Sequence, residues 1–163
     1  MFSSSSREEH VKIRKIEISS FRGVKHLDWN IPDEPLVCLI GKGDSAKTTI
    51  LEAIRCTFHP QWNLPFNDSD FHLCDTTQPI RIEAVIGELS DEFCSDQKYG
   101  ADLRGGDKAG NALHDEPEDG DELVLSVRLT VAKDLEPKWK IVTARNLDGV
   151  DFRSADRSKV NVG

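Results

Sequence analysis

Val11, Ile13, Ile16 and Ile18 set an alternating apolar pattern that slips between Ile13 and Ile16. Alternation predicts a half-buried strand, and the slip allows a bulge. Phe21-Arg22-Gly23 reads as a turn. Leu27, Trp29 and Ile31 then alternate with His26, Asp28 and Asn30, a second strand with one wet face. Pro32 and Pro35 break the chain. Leu36-Val37-Cys38-Leu39-Ile40 follows as an unbroken apolar run, the pattern of a strand buried on both faces.

Ile50, Ile54 and Phe58 recur at helical spacing, and Leu51 joins Ile54 at i+3. The spacing predicts an amphipathic helix over 47–58, ended by Pro60. Residues 59–79 read as loop. Ile80, Ile82, Ala84 and Ile86 mark a further strand. Leu123, Leu125, Val127, Leu129 and Val131 give the most regular alternation in the chain, answered by Trp139, Ile141 and Thr143 across a turn at 134–137. These two segments predict a hairpin. Residues 1–10 read as a disordered tail and residues 146–163 as a frayed one, because both are too polar to bury much. No internal repeat is visible.

The chain has 163 residues, 37% of them hydrophobic, enough for a core and, by length, for one domain. The net charge of −8 argues against a small histone-like nucleic-acid binder. That charge is unevenly spread. Residues 88–122 hold 12 acidic and 3 basic residues, while residues 1–60 are near neutral. With its glycines, the acidic stretch reads as a solvated loop insertion. A regulatory or metal-binding arm, using His114, Asp115, Glu116, Glu118 and Asp119, is the sharper alternative. The four cysteines form no CxxC pair, so reduced thiols are expected. A zinc site at His72 and Cys74 lacks the usual paired ligands. No apolar run approaches the ~20 residues that cross a bilayer. No secretory signal opens the chain. The expected location is the cytoplasm, with no membrane partner.

The predicted strand–loop–helix at 36–58 carries the chemistry. Gly41-Lys42-Gly43-Asp44-Ser45-Ala46-Lys47-Thr48 follows the phosphate-loop pattern G-x-x-x-x-G-K-[ST], with Ala46 in the second glycine's place. In such a loop, backbone N–H groups and the helix N-terminus converge on phosphate. Lys47 reaches the terminal phosphates, and the Thr48 hydroxyl faces Mg²⁺. A methyl at Ala46 is tolerated if φ is negative. An ordinary glycine-rich turn with a lysine in it is the alternative.

Ile13-Arg14-Lys15-Ile16-Glu17-Ile18, Phe21-Arg22-Gly23 and the run from Leu39 through Ala53-Ile54 together resemble the start of ABC-type ATPase heads of the RecF/SMC group. Within that group of AAA P-loop ATPases they look most like OLD-family ATP-dependent endonucleases. The resemblance covers residues 11–58 well and continues more weakly from Asp70-Phe71 to Ile86. Gly43, Asp44 and Ala46 depart from it. It implies an α/β P-loop NTPase fold: the N-terminal lobe of an ABC-type head, with mixed and antiparallel β-sheet beside a P-loop helix. Residues 11–145 would be the N-terminal part of that domain. ATP and Mg²⁺ are the implied cofactors. Gly41, Lys42, Gly43, Asp44, Ser45, Ala46, Lys47, Thr48 and Thr49 would contact the phosphates, with Thr48 on the metal. Arg22 matches a nucleotide-proximal Phe-Arg element, or is an exposed strand-end arginine.

The family's Walker B strand ending in Asp-Glu, its signature motif and its nuclease carboxylates have no counterpart here. The expectation is an incomplete domain: the ATP-binding N-terminal part of an OLD/RecF-type ATPase acting on DNA, in repair or in defence against foreign DNA. Its C-terminal half would lie elsewhere, heads would pair as a homodimer, and DNA would be engaged only by the complete protein. ATP hydrolysis would then be absent from this chain alone. The alternative is a non-catalytic β-rich interaction module with a degenerate phosphate loop. A complete small-molecule kinase lacks a second catalytic element.

Overall fold

The β-branched run near the N-terminus forms β1 (Glu9–Phe21), on which the sheet is built. The computed structural model describes residues 9–43 and 46–162. β1 turns at Arg22 and Gly23 into β2 (Val24–Asn30), its antiparallel neighbour. α1 (Lys47–Thr57) follows, then two short 3-10 turns at Asp68–Asp70 and His72–Cys74. β3 (Ile80–Gly87) pairs with the other edge of β1. Next come α2 (Asp91–Cys94), β4 (Arg104–Gly106) and β5 (Leu113–His114). β6 (Glu122–Val131) and β7 (Pro137–Val142) form the expected hairpin. β8 (Val150–Asp151), α3 (Ser154–Arg157) and β9 (Val160–Val162) complete the described chain.

The main sheet runs β2-β1-β3-β6, with β7 and β8 beyond β6. β4 and β5 branch from the start of β6, and β9 pairs parallel with the start of β1. Ile16, Ile18, Ile82, Ala84, Val127, Leu129 and Ile141 line one buried face. α1 lies across that face through Ile50, Ala53 and Cys56, and the Trp139 indole donates to the Cys56 carbonyl at 3.1 Å. Leu51, expected on the helix's apolar stripe, points away from this core.

The bulge falls where the alternation slips. Ile13 faces Ile86 and Lys15 faces Val85, which leaves Arg14 without a partner in β3. The extra residue turns inward, and Arg14 is buried. A buried guanidinium needs carboxylates. Glu122 accepts from its Nε and Nη2, each at 2.8 Å, and Asp33 accepts from Nη1 at 2.6 Å. Glu88 stands 3.4 Å from Nη2. The Arg14 carbonyl accepts from the Ile31 N–H. Gly110, at φ 71°, passes so close to that carbonyl that a Cβ would sit 2.3 Å from it.

Three expectations change. Residues 36–40 are not a buried strand. They run without strand pairing among the described residues, with Leu36 79% and Ile40 93% exposed. The apolar pattern fits a strand, but no neighbouring strand is present among the described residues to bury it. Residues 88–122 are not a bare solvated loop, since α2, β4 and β5 lie within them. Basic residues from elsewhere offset part of their charge: Arg14 on Glu122, and Arg145 on Asp115 and Glu116. His114 adds an internal pair with Asp121, which raises the imidazole pKa. Residues 146–162 do not fray. Phe152 packs with Phe93 and Tyr99, and the Arg157 guanidinium lies 4.0 Å over Trp139 while donating to the His59 carbonyl. The tail expected over 1–10 falls mostly outside the described residues, but Glu9 and His10 belong to β1.

Arg14→Ala leaves Glu122 and Asp33 facing each other without their cation, and is expected to lower the unfolding free energy by about 3 kcal/mol in urea titration. Hydrogen bonds from Lys12, then Arg14, hold the Asp33 carboxyl at about 2, below its ordinary 3.8. Its depressed pKa contributes stability above pH 3.8 that is lost as pH falls through about 2. A carboxyl NMR titration of Asp33, repeated in Lys12→Ala, reads this directly; the midpoint moves up in the variant.

Candidate functional site

Residues 41–43 leave the extended segment as an exposed loop, and α1 begins at Lys47. Asp44 and Ser45 lie outside the described residues. The Lys47 ammonium folds back over the loop and donates to the Gly41 and Lys42 carbonyls, each at 2.7 Å. Thr48 is exposed and Thr49 half-buried. The first turn of α1 carries no acidic residue. The first intrahelical bond runs from the Ile50 N–H to the Ala46 carbonyl at 3.0 Å. The first N–H groups of a helix have no acceptor within the helix, and its N-terminus carries the positive end of the helix dipole. The Lys47 ammonium, held on the Gly41 and Lys42 carbonyls, and the exposed Thr48 thus stand together at the N-terminal end of α1.

Ala46 does not meet the condition set by the sequence. It caps α1 in the left-handed conformation, φ 59° and ψ 11°, with no side-chain cap bond. A Cβ there collides with the following carbonyl, which is why glycine suits the position. Gly43, by contrast, has no positive φ and open space around it.

Arg22 sits at the turn between β1 and β2, itself at φ 49°. Its Nε donates to Asp70 at 2.9 Å, and its Nη2 lies 3.8 Å from Glu52 on α1. Glu52 follows Thr48 by one helical turn, so the fold does bring Arg22 to the flank of α1. Glu52 is itself gripped by Arg55 through bonds at 2.8 and 2.6 Å, which lowers its pKa. Neither Glu52 nor Asp70 is among the site residues that the sequence points to. Asp70 has a signal there, since Asp70-Phe71 opens the weaker stretch of the resemblance. Below the helix, burial pushes the Cys56 thiol up to about 11, so it acts as an inert core group. Neither the zinc reading nor the acidic-arm reading gains support: among the described residues no group of three or more His, Cys, Asp and Glu is placed to hold a metal. Nor is any described helix long and apolar enough to cross a membrane.

Ala46→Gly removes the left-handed strain and is expected to raise stability by about 1 kcal/mol, read as an upward shift in Tm. Ala46→Val is expected to lower Tm, because a β-branched residue tolerates this backbone least.

The family model described as AAA ATPase domain (AAA_15) matches residues 12–142, from β1 through β7. No curated protein matches the sequence. Among solved structures, one from work on ATP-driven dimerization and DNA-stimulated activation of SMC ATPases superposes with a TM-score of 0.54 at 12% identity. The match covers 91% of this chain and 76% of that one. The antiparallel sheet packed against α1 is therefore similar in fold to that SMC ATPase structure, and the AAA ATPase family supports an ATP-binding role. The chain belongs to the AAA_15 family of AAA ATPase domains.

Proposed function

We propose that this chain is the ATP-binding N-terminal part of an OLD/RecF-type ATPase acting on DNA, with residues 41–49 as its phosphate loop and Thr48 on Mg²⁺. The observation that carries the reading is the state of residues 36–40. Five apolar residues lead straight into the loop with no described strand beside them, and Leu36 and Ile40 lie open to water. Leu51, on the other side of the loop, is 59% exposed. Apolar area of this kind is normally buried, at roughly 25 cal/mol per Å². The chemistry missing from the chain is an apolar strand ending in Asp-Glu. A strand of that composition, from a further segment or a second chain, would both cover residues 36–40 and bring carboxylates to the Thr48 side of the loop. Residues 11–145 then form part of one domain, and paired heads of the complete protein engage DNA.

The second reading, a non-catalytic module, draws on Ala46, whose Cβ strains a left-handed backbone that glycine would adopt freely. Calorimetric titration of Mg–ATP separates the two. Binding by the wild type that is lost in Lys47→Ala supports the ATP site; flat traces for both favour the module. ATP turnover by the 163-residue chain, abolished in Lys47→Ala, would overturn the claim of incompleteness. Hydrogen exchange supplies an independent check: amides of residues 36–40 are expected to exchange freely in this chain, and slow exchange there would contradict an uncovered strand.

A further inference from the structure

Asp70 is bonded to more of its surroundings than a loop carboxylate needs. It is 6% exposed and closes a 3-10 turn as part of a reciprocal cap: its Oδ2 accepts from the Asn67 N–H at 3.0 Å, while the Asn67 side chain accepts from the Ser69 N–H. Its other oxygen, Oδ1, takes the Nε–H of Arg22 at 2.9 Å. The same strap grips the Arg22 backbone at both ends. The Arg22 N–H donates to the Asp70 carbonyl at 2.8 Å, and the Arg22 carbonyl lies 2.9 Å from His72 Nδ1. Phe21 and Phe71 bridge beside it. Leu73 and Cys74, directly after, both hold positive φ without being glycine. Backbone strain of this kind persists where surrounding structure over-determines it, and it clusters at functional sites.

All of this immobilises one exposed cation. Arg22 is held at its Nε and along its backbone, yet its side chain keeps 40% of its exposure. Its Nη2 only approaches Glu52, at 3.8 Å, and Glu52 is already committed to Arg55. The terminal nitrogens are therefore anchored from behind and weakly engaged in front. They lie beside the residue one turn after Thr48, and a turn rises about 5.4 Å. A guanidinium fixed through Nε and open at its tip is suited to an oxyanion, since its remaining N–H groups present a ready fork.

We infer that Asp70 is a positioning residue for the nucleotide site: it aims the Arg22 guanidinium along the flank of α1 at the phosphates of the bound nucleotide. The inference rests on reading residues 41–49 as the ATP site. Glu52 then serves as the resting neighbour that Arg22 leaves when an anion arrives.

The test is a double-mutant cycle on the 163-residue chain, with Mg–ATP affinity measured by calorimetry and Tm measured alongside. Arg22→Ala and Asp70→Asn are each expected to weaken binding about tenfold, the size of ordinary coupling within one ionic network. In the Arg22→Ala background, Asp70→Asn is expected to add nothing. Arg22→Lys leaves the Asp70 cap in place but cannot hold the carboxylate and an anion together, so it is expected to lose the same affinity; this variant decides the matter if Asp70→Asn fails to fold. Wild-type affinity in Asp70→Asn or in Arg22→Lys, or losses that simply add in the double variant, overturns the positioning role. Absence of binding by the wild type itself overturns both the role and the ATP site beneath it, whereas binding that Lys47→Ala abolishes and Asp70→Asn leaves intact overturns the role alone.

Discussion

One buried guanidinium organises the N-terminal half of the molecule. The bulge in β1 puts Arg14 inside, and burial obliges the fold to deliver carboxylates to it. They come from three distant places: Asp33 in the link after β2, Glu88 after β3, and Glu122 at the start of β6. The Arg14 carbonyl meanwhile holds Ile31, and Gly110 packs against it. The link that ends β2 and launches the chain toward the loop is therefore tied to the sheet by charge as well as by the packing of Ile31 against the core. The acidic stretch is tied to the same point. Its excess of negative charge is partly an answer to cations supplied by other parts of the chain, and only partly a solvated surface.

Much of the fold is legible in the sequence because it obeys simple periodicity. The alternation in residues 123–131 and 80–86 marks two central strands, and the slip between Ile13 and Ile16 brackets the bulge, which falls at Arg14. Pro60 ends the helix within a residue or two of the expected stop. What escapes is structure stabilised by polar groups. Residues 146–162 bury Asp156 and Arg157, each satisfied by partners far away in sequence: Asp156 by Lys98 and Tyr99, Arg157 by Trp139 and the His59 carbonyl. Composition cannot reveal such pairings. β4 and β5 are hidden for the same reason, since Gly105 and Gly106 offer no apolar pattern at all. Residues 36–40 mislead in the opposite sense: their pattern is that of a buried strand, but burial needs a partner that the pattern itself does not supply.

The candidate site is legible as a motif and not as a geometry. Gly41, Lys47 and Thr48 can be named from spacing alone. That Ala46 adopts a left-handed backbone, and that Arg22 is harnessed by Asp70, emerge only from the chain path. Positive φ at non-glycine residues gathers around this region, at Arg22, Ala46, Leu73 and Cys74. Local strain on both sides of α1 means that the surrounding sheet, not the loop's own preferences, holds the region in shape. Small changes in the loop should therefore register as changes in its shape before they register in the sheet.

The open apolar run at 36–40 also has a bearing on solubility. An extended, unpaired, apolar segment is a template onto which any stray chain can add, and natural proteins guard such segments with proline and charge. Here Pro32, Asp33, Glu34 and Pro35 stand immediately before it, and Lys42 follows closely after. Asp33 is doubly useful, since it anchors Arg14 while contributing to this guard. Prolines and charges in these flanking places are the gatekeeper residues that natural sequences set beside exposed apolar segments.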